Sequence, residues 1–115
     1  MALKIVDVAS HQGSYRFGAN GEDGLIVKAT QGTGYVNPFC DGVAQQMIKN
    51  GKPWGIYHYA GGGNAQAEAK YFINNIKNYL IAANKPILIL DWESYQNSQW
   101  GNGKWHLISL QKLRA

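Results

Sequence analysis

Four short apolar segments, each of strand length and separated by loops or by stretches long enough for a helix, constrain the fold of this chain more than any other feature. Ile5 to Ser10 opens the series and is rich in β-branched residues. Gly24 to Ala29 and Gly55 to Ala60 follow, and Pro86 to Asp91 is the fourth, apolar up to Leu90. A continuous apolar strand of that kind is expected to be buried on both faces, which favours a parallel sheet covered by helices. After the second segment, Asp41 is placed to cap a helix bearing Val43, Ala44, Met47 and Ile48 on one face, with Asn50-Gly51 as its left-handed end. After the third, Asn64 is placed to cap a longer helix with Ala65, Ala69, Phe72, Ile73, Ile76 and Leu80 at helical spacing. Gly61-Gly62-Gly63 between them reads as a flexible turn. Strands alternating with helices through right-handed crossovers give an α/β chain with one parallel sheet.

Composition excludes several classes. A chain of 115 residues with 45% hydrophobic content forms one domain with a core and is not intrinsically disordered. Its single cysteine, Cys40, excludes a disulfide scaffold, and no catalytic or metal-ligand pattern surrounds it. No apolar run approaches the roughly 18–20 residues of a membrane helix, so no membrane partner is expected. The first residues, Met-Ala-Leu-Lys-Ile-Val-Asp, lack the apolar stretch and cleavage site of a signal peptide. The expectation is synthesis in the cytoplasm, with any action outside a cell depending on release by other means. Residues 1–103 carry eight Lys plus Arg against seven acids, and Lys104, Lys112 and Arg114 supply the other three charges of the net +4. A nearly neutral body with a short basic tail is not the aromatic-interleaved basic stripe of a nucleic-acid binder.

In parallel α/β sheets, ligands bind beyond the carboxyl ends of the strands. Asp91-Trp92-Glu93 closes the fourth strand. Alternation directs Asp91 and Glu93 to one face, with Cα atoms about 6.5–7 Å apart, and sends Trp92 behind the site. Asp7 lies between Val6 and Val8, where a carboxylate is costly unless it is paired, hydrogen-bonded or lines a site. Two carboxylates at such spacing suit glycoside chemistry, one donating a proton to the leaving oxygen and the other staying ionised beside the positive transition state. Tyr57 and Tyr59 share a face of the third strand, as site aromatics or as core. His58 points the other way, as a packing histidine. Lys28 is placed to pair with Asp7 or Asp91, or to reach solvent. Ser10 and His11, as neighbours in a strand, face opposite ways and do not make a nucleophile–base pair. No metal-ligand spacing occurs, and no cofactor is implied.

Four motifs in register carry a resemblance: Asp7-Val-Ala-Ser-His11-Gln-Gly13, Val27-Lys28-Ala-Thr30-Gln31-Gly-Thr-Gly-Tyr35, Gly55-Ile-Tyr57-His58-Tyr59-Ala60 and Ile89-Leu-Asp91-Trp-Glu93. Over about residues 4 to 94 the chain resembles the glycoside hydrolase family 25 muramidases, the Chalaropsis-type lysozymes found in many phage endolysins. The resemblance implies a TIM-like (β/α) barrel, of which this chain holds the N-terminal half, about four βα units. It implies cleavage of the β-1,4 bond between N-acetylmuramic acid and N-acetylglucosamine in bacterial peptidoglycan, at the cell wall after a phage or prophage lysis step. It makes Glu93 the proton donor, Asp91 the group that stabilises or orients the sugar through its 2-acetamido group, and Asp7 a further site carboxylate. Tyr57, Tyr59 and Lys28 become substrate-binding residues. Gln31 stands where the family commonly has Glu, so no acid role is expected there.

Such barrels run to roughly 200 residues or more, and the chain shows four strands where eight are expected. Residues 4–105 are family-like, whereas the basic decamer from His106 to Ala115 reads as a tail in a changed frame or cut at a boundary. One domain over 1–115 is therefore expected, either hydrolytic or a catalytically impaired fragment that binds wall glycan or assembles with a partner. Two open sheet edges and an apolar inner face lead to the expectation of a homodimer.

Overall fold

In a computed structural model, residues 3–92 are described. The strands are β1 (Ile5–Val8), β2 (Gly24–Gln31), β3 (Tyr35–Val36), β4 (Trp54–Tyr59) and β5 (Ile87–Asp91). The helices are α1 (Cys40–Asn50), between β3 and β4, and α2 (Ala65–Ile76), between β4 and β5, with 3-10 turns at Ser10–Gln12 and Lys77–Ile81. β1, β2, β4 and β5 lie side by side in that order and run parallel, as the alternation of segments predicts. The two-residue β3, which carries too short a pattern to be read, pairs antiparallel with the end of β2.

Val8, Val27, Ile56 and Leu88 are in register across the four parallel strands and therefore share a face. With Leu25 they pack against Val43, Ala44 and Met47 of α1 and Phe72 and Ile76 of α2, which forms the main core. Asn64 caps α2 by accepting from the Ala67 N–H at 2.8 Å. Gly51 (φ 66°) ends α1 in the left-handed region, its N–H bonding the Met47 and Ile48 carbonyls.

Other expectations are corrected. The first strand stops at Val8, and Ser10–Gln12 coils into a 3-10 turn in which Gln12 Oε1 accepts from the Ala9 N–H at 2.7 Å. The strand-alternation argument about Ser10 and His11 therefore does not apply, because a local side-chain bond replaces extension there. The N-cap position of α1 is Phe39, not Asp41, which sits in the first turn. Asn37 organises this end: its Oδ1 accepts from the Phe39 N–H at 3.0 Å and its Nδ2 donates to the Lys28 carbonyl at 2.9 Å. α2 stops at Ile76, so Leu80 packs on the core from the 3-10 turn.

β5 is not buried on both faces. It is an edge strand among the described residues, with Ile87 69% exposed and the rest half-buried. Both helices cover the same face, which leaves Ile5 (45% exposed) and Ile87 on the other.

The loop from β1 to β2 is built on buried Glu22, which accepts from the Tyr15 hydroxyl and from the Gly18 and Asn20 N–H groups. Burial raises its pKa, but these bonds outweigh burial and bring it down to about 2. A lowered folded-state pKa contributes stability that is present above the unfolded carboxyl value and is lost as pH falls toward 2. Glu22→Gln is therefore expected to lower Tm at neutral pH, with the gap from wild type closing on acidification between about pH 4.5 and 2. Thermal melts followed by circular dichroism across that range check this, and a pH-independent gap counts against it.

Candidate active site

On the face of the sheet opposite the helices, Lys28 is level with Tyr57, and Tyr57 with Ile89. One step further along the strands the register shifts between Lys28 and Thr30. This irregularity sets Gln31 beside Tyr59 and Tyr59 beside Asp91, while Thr30 turns to the helix side against His58. The sequence carries no mark of it, since an extra residue in one strand is defined only by its neighbour.

Asp7 of β1, Tyr57 of β4 and Asp91 of β5 meet at an open cleft of about 240 Å³, with Ile26, Ile89 and Leu90 completing its lining. Asp7 is exposed there. Its position between two valines thus does not bury it, because Val6 and Val8 point to the other face. Tyr57 is both core and cleft, only 7% exposed. Burial, the Asp7 charge, a hydrogen bond with Asp7 and the Asp91 charge all push its phenol pKa upward. The phenol stays neutral and able to donate at any physiological pH. Tyr59 is half-buried, with the Lys28 ammonium 5.0 Å from its ring centroid and 5.3 Å from that of Tyr35. Lys28 donates to Gln31 Oε1 rather than pairing with Asp7 or Asp91.

Trp92 packs with Leu90 against Ala60 and Ala69, behind the site as alternation predicts. Glu93, the rest of the family-like stretch to residue 105 and the 106–115 tail lie outside the described residues. The structure thus unites Asp7, Tyr57 and Asp91, sets Lys28 and Tyr59 along the same face, and does not describe Glu93.

His58 is fully buried, tilted against Phe72 with ring centroids 5.6 Å apart, and acts as a packing histidine. Its ring bonds Thr30 Oγ1 at 2.7 Å and Glu68 Oε1 at 2.8 Å. Glu68 is the residue that sequence reasoning missed. It also accepts from the Gly61 N–H at Oε1 and the Gly63 N–H at Oε2, both at 2.9 Å, so the triple-glycine turn is pinned rather than loose. Burial raises the Glu68 pKa, but the His58 bond and the two glycine bonds outweigh it and hold the carboxyl below its usual value. The available signal was an acid in the first turn of a helix entered from three glycines, where backbone N–H groups turned toward one point favour a carboxylate. Cys40 is buried away from the cleft, its thiol pushed up to about 12 by burial and then by the Asp41 charge, which makes it unreactive. Among the described residues no group of three or more His, Cys, Asp or Glu is placed to hold a metal ion.

The chain is 37% identical over 101 residues to the lysozyme of Streptococcus phage Cp-7, a match that takes in 82% of this chain and 27% of that protein. It is 35% identical over 81 residues to the autolytic lysozyme of Clostridium acetobutylicum, across 64% of this chain and 24% of that one. Its fold is similar to that of the catalytic domain of endolysin ply40 from bacteriophage P40 of Listeria monocytogenes, with TM-score 0.67, 24% identity, and coverage of 80% of this chain and 48% of that chain. It is also similar to the modular autolysin LytC of Streptococcus pneumoniae, solved in complex with a synthetic peptidoglycan ligand, with TM-score 0.62, 27% identity, and coverage of 84% and 24%. The chain spans about a quarter of the length of the curated lysozymes it matches. The family model for glycosyl hydrolases family 25 matches residues 6–115. That span takes in every residue of the cleft, and the chain belongs to glycosyl hydrolases family 25.

Proposed function

We propose that this chain is a lysozyme of the N-acetylmuramidase type, which cleaves the β-1,4 bond between N-acetylmuramic acid and N-acetylglucosamine in peptidoglycan. The observation that carries the reading is the meeting of Asp7, Tyr57 and Asp91 at one open cleft in a member of a glycosidase family. The peptidoglycan ligand on LytC, 27% identical to this chain, supports the substrate class. In this reading Glu93 protonates the leaving oxygen, and Asp91 stabilises the reacting sugar through its 2-acetamido group. Asp7 keeps the cleft negative and accepts the single Tyr57 O–H, which orders the phenol and leaves its oxygen to accept from a sugar hydroxyl. Tyr59 offers a ring face to a pyranose, and Lys28 offers its ammonium to an anionic substituent. Residues 1–115 act as one domain whose parallel strands belong to a TIM-like barrel wall, and the protein works at the bacterial wall once released from the cell that makes it.

The test is digestion of purified peptidoglycan, borohydride reduction of the new ends and mass spectrometry of the products. New reducing ends on N-acetylmuramic acid are expected. New ends on N-acetylglucosamine, or wall binding with no new ends, overturn the reading.

Among the described residues β1 and β5 are the edges of the sheet, and they carry the exposed Ile5 and Ile87. Pairing of two copies through those edges would satisfy backbone groups and cover apolar surface together. A homodimer is therefore the proposed assembly, and light scattering at micromolar concentration is expected to give twice the 12.7 kDa chain mass. A monomer mass at that concentration removes the idea.

A further inference from the structure

Behind the cleft, Thr30, His58 and Glu68 form a buried chain of polar side chains that the proposed chemistry does not use. An ionised carboxylate only accepts hydrogen bonds, so His58 Nε2 carries the proton that faces Glu68. In the neutral ring Nδ1 then accepts from the Thr30 hydroxyl. The order of groups resembles a nucleophile–base–acid triad, but Thr30 is fully buried on the helix side of the sheet, out of reach of anything in the cleft.

What the chain does reach is the backbone around the site. Glu68 binds the Gly61 and Gly63 N–H groups at once. Gly61 is packed so closely on the β2–β3 turn that a Cβ there would stand 2.9 Å from the Gly32 Cα. The Gly32 N–H bonds the Tyr59 carbonyl at 3.2 Å, and the Ala60 N–H, one residue before the pinned turn, bonds the Asp91 carbonyl at 2.9 Å. One carboxylate, fixed by one imidazole and one hydroxyl, thus ties together the ends of β2, β4 and β5.

We propose that Thr30, His58 and Glu68 are positioning residues: they hold the Gly61–Gly63 turn at one height above the sheet and, through Ala60, hold Asp91 in the cleft. The consequence for turnover rests on the glycosidase reading, whereas the consequence for the turn does not.

Amide hydrogen exchange followed by NMR separates the two in wild type, Glu68→Gln, Thr30→Val and Thr30→Ser. In Glu68→Gln the new side-chain amide would turn an N–H toward one of three donors, so exchange at Ala60, Gly61 and Gly63 is expected to speed up about tenfold or more. Val27 and Ile56, in the sheet interior, are expected to keep wild-type protection. Thr30→Val, which keeps shape and loses the hydroxyl, is expected to speed the same three amides, and Thr30→Ser to restore them. Where turnover is measured, kcat is expected to fall with KM unchanged. Wild-type exchange at Ala60, Gly61 and Gly63 in Glu68→Gln overturns the proposal, as does an unchanged kcat in an active chain. If Glu68→Gln does not fold, equal exchange in the Val and Ser variants at position 30 overturns it instead. A wild-type chain that releases no new reducing ends defeats the glycosidase reading alone, and the exchange rates still decide this one.

Discussion

Replacing Glu93 with Gln is expected to lower wall hydrolysis by about 10²–10⁴-fold, the usual worth of a positioned general acid. The amide matches the carboxyl in shape but has no proton to give to the leaving oxygen, so the sugar departs as an unassisted alkoxide. Thermal unfolding is expected to be unchanged, because the substitution keeps volume. Asp91→Asn is expected to lose activity too, since it removes the negative charge that faces the developing positive charge on the ring. Turbidity clearance of bacterial walls, run beside melts of the same preparations, checks both. Activity of Glu93→Gln above about a tenth of wild type is incompatible with a general acid at that position.

The largest expected effect on stability comes from the middle of α2. Phe72 is among the largest fully buried side chains, faces the His58 ring and packs in the core with Leu25, Val27 and Ile56. Phe72→Ala is expected to cost about 3–5 kcal/mol, from lost transfer free energy and from the cavity left where the backbone cannot collapse. A domain of this size has only about 5–15 kcal/mol of stability in all, so a fall in Tm of more than about 10 °C should follow. Ile81→Ala provides the control: Ile81 is 89% exposed, and its removal is expected to stay within about 0.5 kcal/mol. Urea unfolding of both variants decides the matter, and equal midpoints would show that α2 does not seal the sheet.

Residue by residue, the legible features share one property, which is that their causes lie within a few positions along the chain. β-Branched runs mark β1, β2 and β5 because their side chains suit extended backbone. Asn64 and Gly51 mark helix ends because each meets an orphaned backbone group or a left-handed turn in its own segment. Period-two alternation puts Tyr57 and Tyr59 on one face and His58 on the other, and sends Trp92 behind Asp91. Those local rules set both tyrosines on one side of β4, whereas the register that brings Asp7 and Asp91 to that side belongs to the paired strands.

What tertiary structure alone decided depends on segments far apart in sequence. Glu68 reads as an ordinary polar helix residue until β4 brings His58 and the glycine turn to it, where three bonds compensate a buried charge. The register shift between Lys28 and Thr30 exists only relative to β4, yet it sends Thr30 to the core and Gln31 to Lys28. Ile87 and Ile89 have the composition of a strand buried on both sides, but α1 and α2 both cover the opposite face. Alternation assigns side chains to faces, because the pleat is a property of the strand itself. Which face is sealed, and which polar group finds a partner there, is settled by contacts between segments that the chain brings together only on folding.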